Sequence, residues 1–108
     1  MAGNVIELTD ATFDQTVSQS EEPVLVDFWA PWCGPCLAMA PAFERTAQML
    51  HPNLRLAKVN TEDEPSLAAR FNIRSIPTLA LFQNGLEVDR VSGALGPEAM
   101  RDWVLSRV

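Results

Sequence analysis

The run Val24-Leu25-Val26-Asp27-Phe28-Trp29 constrains this chain more than any other segment. It is apolar at five of its six positions and does not alternate. A strand of that composition has to be covered on both faces, which is the condition of a central strand in a parallel sheet between helical layers. Immediately after it come Ala30-Pro31-Trp32 and then Cys33-Gly34-Pro35-Cys36, placed where the strand turns into a helix. The 108 residues suit one domain, 1–108, of a size that buries roughly 60–70% of its unfolded surface. With 47% hydrophobic residues it can close one core without staples or metal.

The remaining elements follow from pattern and punctuation. Val5 to Leu8 reads as a short strand. Thr12 with Gln15 predicts a capping box for a short helix through Val17. The helix after the cysteines is predicted to run to about Leu50. Pro35 lies in its first turn, where a missing N–H costs nothing, and Pro41 lies inside it, where a kink is expected. Leu54 to Val59 is the next strand, and Glu64 to Phe71 a short helix. Thr78–Phe82 and Leu86–Val91 flank Asn84-Gly85, a strong hairpin signal. Pro97 opens a last helix that brings Met100, Trp103 and Val104 to one face. Alternating strands and helices, then a hairpin and a helix, predict an α/β fold with a mixed five-stranded sheet and helices on both faces.

The chemistry centres on the cysteines, the only two in the chain. A structural zinc site needs four ligands, and one Cys pair with the single His51 does not supply them. A structural disulfide normally closes a long loop, because its entropic gain grows with loop length. Here the loop is almost nil, and the pair reads as a redox couple that opens and closes. Cys33 precedes the helix, so its sulfur lies near free backbone N–H groups and the positive end of the helix dipole. Both favour the thiolate, the attacking species. Cys36, one turn inside, is expected to be more buried and to resolve the mixed disulfide that Cys33 forms. Gly34 and Pro35 add no charge, and the absence of histidine between the cysteines favours a reductant over an oxidant.

Asp27 interrupts the apolar strand six residues before Cys33. Desolvation there raises a carboxyl's pKa and lets it exchange a proton near neutrality. Lys58, in the neighbouring strand, is a natural charge partner. An ordinary buried ion pair or an exposed strand end would explain the two equally well. Pro77, before the strand at Thr78, is either a plain trans proline at the strand edge or a cis proline beside the thiols, and composition does not choose. His51 reads as a solvated helix cap, and Glu62-Asp63-Glu64 as a solvated turn and helix start. Met39, Met49, Phe13, Phe28, Phe43 and Trp103 are assigned to the core, and Trp32 to a contact surface.

Charge excludes several functions. Eight Lys plus Arg against fourteen Asp plus Glu give −6, which disfavours nucleic acid and anionic membranes as partners and favours a soluble monomer. No stretch approaches the ~18 consecutive apolar residues of a membrane helix. Met1-Ala2-Gly3-Asn4 lacks the basic and apolar pattern of a secretory leader, so a cytoplasmic location is expected.

Asp27-Phe28-Trp29-Ala30, Trp32-Cys33-Gly34-Pro35-Cys36, Lys58-Val59-Asn60, Phe71 through Thr78, Phe82 with Asn84-Gly85, and Gly93-Ala94 together resemble the thioredoxin family over almost the whole chain. Thioredoxins are themselves a standard example of Cys-x-x-Cys chemistry. The resemblance implies the thioredoxin fold and a general protein-disulfide reductase. Cys33 is then the nucleophile, Cys36 the resolving thiol, Asp27 the buried proton carrier with Lys58 beside it, and Pro77 the cis proline facing the thiols. Trp32, Ile76, Gly93 and Ala94, with Gly34 and Pro35, would form the apolar docking surface. Electrons would come from NADPH through a flavoprotein thioredoxin reductase, with protein disulfides as substrates and no cofactor or metal bound.

Two features depart from the common pattern. Leu37 stands where many thioredoxins carry a basic residue. Ala30-Pro31-Trp32 and Ile73-Arg74-Ser75-Ile76 look closest to the second bacterial type, although its two further cysteine pairs, from an N-terminal zinc domain, are missing from this sequence. Competing functions are a thiol oxidase or isomerase, which the Gly-Pro dipeptide disfavours, and a non-catalytic binding or chaperone subunit, which the intact cysteines disfavour.

Overall fold

Strand and helix alternate through the first part of the chain, as the pattern requires. A computed structural model describes residues 5–108; Met1–Asn4, where no leader is expected, lie outside the described residues. The order is β1 (Val5–Glu7), α1 (Phe13–Gln19), β2 (Val24–Trp29), α2 (Gly34–Leu50), β3 (Arg55–Asn60), α3 (Pro65–Arg70), β4 (Thr78–Gln83), β5 (Leu86–Ser92) and α4 (Pro97–Leu105). The five strands form one sheet in the order β1-β3-β2-β4-β5. β1, β3 and β2 are parallel, while β4 runs antiparallel to β2 and β5 antiparallel to β4. Asn84 and Gly85 both adopt positive φ (54° and 81°), the paired left-handed geometry of a two-residue hairpin turn.

β2 is the middle strand, and its first five residues are buried. Its alternate residues feed two cores. Val24, Val26 and Phe28 pack with Phe13 and Val17 of α1 and Leu67 of α3. Leu25 faces the other way, with Met39, Phe43 and Ala47 of α2 and Met100 and Val104 of α4. Asp27, two residues after Leu25, therefore projects to the α2/α4 side. On the opposite side Phe71 gathers an aromatic cluster, its ring centroid 5.1 Å from that of Phe13, 5.9 Å from Phe28 and 5.5 Å from Phe82. Phe13, Phe28 and Phe82 are buried and Phe71 half-buried against them, and full burial of such a ring contributes about 1.5–3 kcal/mol through the area removed from water.

Several local expectations are corrected. Thr12 does sit at the N-cap of α1, but its backbone is already near-helical (φ −112°, ψ −13°), and its side chain makes no cap bond. Its Oγ1 instead accepts the backbone N–H of Thr9 at 3.0 Å, so no capping box forms with Gln15. Met49 is only half-buried, because it falls off the α2 stripe of Cys36, Met39, Phe43 and Ala47. Trp103 is also half-buried, packed against the edge of the second core with Arg107 4.5 Å from its ring centroid. α2 continues through the exposed Pro41 to Leu50. His51 is an exposed C-cap, followed by a cis bond to Pro52.

Phe28→Ala tests the covered-strand argument. It should lower stability by about 3–5 kcal/mol, the cost of an emptied aromatic site that cannot collapse. Urea denaturation of the oxidised protein checks this; a loss below 1 kcal/mol would mean that β2 is not the centre of the core.

Candidate active site

The end of β2 delivers the chain to the cysteines. Cys33 N–H donates to the Ala30 carbonyl at 3.1 Å, which folds Pro31 and Trp32 outward as a turn. Cys33 is the N-cap of α2 and Pro35 lies in the first turn, so the helix starts between the two sulfurs. Cys33 and Cys36 are bridged, with Cα atoms 5.3 Å apart. The Cys36 N–H donates to Cys33 Sγ at 3.2 Å, putting one of the helix's free N–H groups on that sulfur. This contact and the helix dipole both favour negative charge at Cys33 once the bridge opens. Both cysteines are largely buried when bridged, at 5% exposure for Cys33 and 2% for Cys36. The expected difference in exposure is small, and their positions outside and inside the helix separate them more clearly.

A second loop faces the sulfurs. The Ile76–Pro77 bond is cis, and Cys33 Sγ lies 3.8 Å from the Ile76 carbonyl oxygen. In the bridged form the sulfur has no proton to donate, so this contact becomes a hydrogen bond only from the Cys33 thiol. Ile76 packs against Ala30, Cys33 and Cys36. Gly93, at φ 100°, donates its N–H to the Pro77 carbonyl at 2.9 Å. The Thr78 hydroxyl bonds the Ser75 carbonyl at 2.6 Å and pairs with Ser92 Oγ at 2.8 Å. These bonds tie the Ile76-Pro77 loop to the end of β5, where Gly93 and Ala94 are exposed. Gly34 and Pro35 are exposed, and a Cβ on Gly34 would meet nothing within 4 Å. Trp32 is 70% exposed and Leu37 52%, so large apolar side chains flank the bridge on both sides.

Beside Trp32 a cleft of about 300 Å³ opens, lined by Thr61, Pro65, Ala68, Ile73, Arg74, Ser75 and Ile76. Of these, only Ile76 was assigned to a surface from the sequence. Arg74 and Ser75 had a usable signal, since they immediately precede Ile76-Pro77. Pro65 and Ala68 had none, because only the docking of α3 brings them to Trp32.

Asp27 is 1% exposed and its Oδ1 has no hydrogen-bond partner, which rules out an exposed strand end. Burial pushes its carboxyl up to about 7; the Lys58 ammonium pulls it back, and the Glu7 carboxylate adds a further upward push. Lys58 stands in register with Asp27 on β3 but makes no ion pair with it within 4 Å. Its Nζ lies 4.3 Å from the Trp29 ring centroid, a cation–π contact that the sequence reading missed. Glu62 and Asp63 are exposed in a turn held by Asn60, while Glu64 is the N-cap of α3 and accepts the Asp10 N–H at 2.9 Å. No group of three metal-ligating side chains occurs among the described residues, and no helix there is long and apolar enough to cross a membrane.

A bridged Cys-x-x-Cys pair at a helix start, opposite a cis-proline loop and just past the end of the central strand of a mixed sheet, defines a dithiol–disulfide oxidoreductase. The Thioredoxin family model matches residues 4–106, and the chain belongs to the thioredoxin family, whose members are protein-disulfide reductases. It is 53% identical over 88 residues to "Thioredoxin 1" of Synechococcus elongatus, covering 82% of each chain. It is 48% identical over 104 residues to "Thioredoxin" of Porphyra purpurea, covering 96% of each. It is also 48% identical over 99 residues to the "Bifunctional thioredoxin reductase/thioredoxin" of Mycobacterium leprae, spanning 92% of this chain and 22% of that longer protein.

The raised Asp27 carboxyl has a stability signature. Between the ordinary carboxyl range and pH 7 the folded state binds a proton that the unfolded state has lost, so stability falls as pH rises through that window. Asp27→Ala removes the group. The stability advantage of the variant should therefore grow by on the order of 4 kcal/mol between pH 3 and pH 8. Urea titrations of both oxidised proteins across that range measure it. A pH-independent difference would mean that Asp27 titrates normally in the fold.

Proposed function

We propose that this chain is a general cytoplasmic reductant of protein disulfides that works as a monomer and binds no cofactor. The Cys33 thiolate attacks one sulfur of a target disulfide, forming a mixed disulfide and releasing the other target sulfur as a thiolate. Cys36, giving its proton to Asp27, then attacks the Cys33 sulfur. The Cys33–Cys36 bridge closes and the second target thiolate leaves, so the target gains the two electrons that the dithiol loses. The observation that carries this reading is the Cys36 N–H on Cys33 Sγ at the start of α2, which singles out Cys33 for negative charge. Lys58 acts as the charge partner of Asp27. Trp32, Gly34, Pro35, Ile76, Gly93 and Ala94 form the face on which an extended target segment lies, and Pro77 holds the Ile76 carbonyl toward Cys33.

The fused arrangement named for the Mycobacterium leprae relative supports a flavoprotein thioredoxin reductase as the partner that returns the bridge to the dithiol with electrons from NADPH. Insulin-disulfide reduction coupled to NADPH and such a reductase tests the whole cycle. NADPH oxidation no faster than the protein-free background would overturn it.

Trapping experiments separate the two cysteines. Cys36→Ser should accumulate mixed disulfides through Cys33, while Cys33→Ser should form none and lose all reductase turnover, as read by mass spectrometry of the adducts. Stable adducts through Cys36 alone would reverse the roles.

Leu37 provides a test particular to this chain. Its exposure beside Cys36 supports a position at the rim of the docking face, where a partner that buries it fully gains up to ~1.5–3 kcal/mol. Leu37→Lys should re-rank several protein disulfides by kcat/KM and make the rates more salt-dependent, because charge steering is screened by ions. Stability should change by less than about 0.5 kcal/mol, as for other surface substitutions. An unchanged ranking and salt response would remove Leu37 from the docking face.

A further inference from the structure

Glu7, the last residue of β1, stands in register with Lys58, and Lys58 stands in register with Asp27. Registered residues on neighbouring strands project to the same face of a sheet. One row across β1, β3 and β2 therefore reads carboxylate, ammonium, carboxylate. The row lies on the α2/α4 side, because Val5 and Leu25, two residues before Glu7 and Asp27, both pack into that core. The register is held just past Glu7 by the Leu8 N–H on the Lys58 carbonyl at 2.8 Å.

The three charges differ in exposure. Glu7 is exposed, Lys58 half-buried and Asp27 buried. No ion pair within 4 Å joins Lys58 to either carboxylate, and its Nζ is seated on the Trp29 ring. The ammonium is thus paired with neither carboxylate and acts on Asp27 through its field. The other elements around Asp27 add little charge. Its β4 neighbour in the row is Leu79, and α4 buries only Met100 and Val104. Among the buried residues of α2, the one titratable group is Cys36.

We propose that Glu7 is a positioning residue for proton transfer at the disulfide. From the far end of this row, on the other side of Lys58, it repels the Asp27 anion and so tunes when Asp27 accepts the Cys36 proton. The inference rests on the proton-carrier role assigned to Asp27 above. The direction agrees with the local fields: burial raises the Asp27 carboxyl most, Lys58 lowers it, and Glu7 raises it. Two strand spacings put Glu7 about 10 Å from Asp27 across the sheet. At that range a unit charge acting through a medium between bulk water and the protein surface moves a titration by about 0.3–1 pH unit.

The test follows the Asp27 side-chain carboxyl carbon by NMR across pH in the oxidised full chain. Glu7→Gln should lower the Asp27 midpoint by about 0.3–1 pH unit, and Glu7→Asp should restore most of it. The shift should shrink in 1 M salt, where the screening length is about 3 Å. The pH profile of single-turnover disulfide reduction should move the same way in Glu7→Gln, and should show no such response to Glu7→Gln in an Asp27→Asn background. Two results overturn the proposal and are told apart. An unmoved Asp27 midpoint with an intact amide spectrum means that Glu7 does not act on Asp27. A moved midpoint with an unmoved rate profile means that Asp27 is not the proton carrier.

Discussion

Coverage of β2 on both faces is the constraint on which the other features of this molecule depend. A strand with Val24, Val26 and Phe28 on one side and Leu25 on the other cannot sit at an edge or face water. It has to lie between neighbouring strands and beneath helices on each side, and β3, β4, α1, α2, α3 and α4 are arranged to satisfy that need. The strand's far end is then a fixed platform. Cys33 leaves it through a single backbone bond to Ala30, and α2 starts at once. The reactive sulfurs are thereby held on the most deeply anchored part of the chain.

The same burial raises the Asp27 carboxyl. Asp27 occupies the one polar position in an otherwise apolar strand, on the side covered by α2, and its orphaned Oδ1 marks the unfavourable solvation there. A well-packed apolar residue would stabilise the fold more at that point. Retaining a carboxyl with a midpoint near 7 costs stability and provides a group able to exchange protons near neutrality. Trp29 Nε1 is a second buried group without a partner in the same strand. The functional end of β2 therefore carries both of the unsatisfied buried side-chain atoms found among the described residues.

Around this rigid centre the proposed contact face draws on segments distant in sequence. Trp32 comes from the turn after β2, Ile76 and Pro77 from the loop before β4, and Gly93 and Ala94 from the end of β5. The Gly93 N–H on Pro77 and the Thr78–Ser92 hydroxyl pair hold the last two together. A surface built this way presents backbone groups and apolar area more than specific charges, in keeping with the proposed reduction of many different disulfides. The cleft beside Trp32 extends that surface toward α3 and brings Arg74 to its border.

Much of this was legible in the order of residues, because local rules govern it. The non-alternating Val24–Trp29 run, the Asn84-Gly85 hairpin, the proline-led starts of α2 and α4 and the redox character of Cys33 and Cys36 each depend on a few adjacent residues. Those elements stand within a residue or two of where the pattern puts them. Thr12 shows where such rules stop: its hydroxyl turned to the Thr9 amide because the backbone at the cap was already helical. The cis geometry at Pro77, left open by composition, was implied only by family resemblance and is seen in the fold. What tertiary structure alone decided are relations between distant segments: Lys58 over Trp29, Glu7 in the row with Asp27, and α3 walling the cleft beside Trp32. Strand register and helix docking are set by the packing of whole faces, and no short stretch of sequence contains that information.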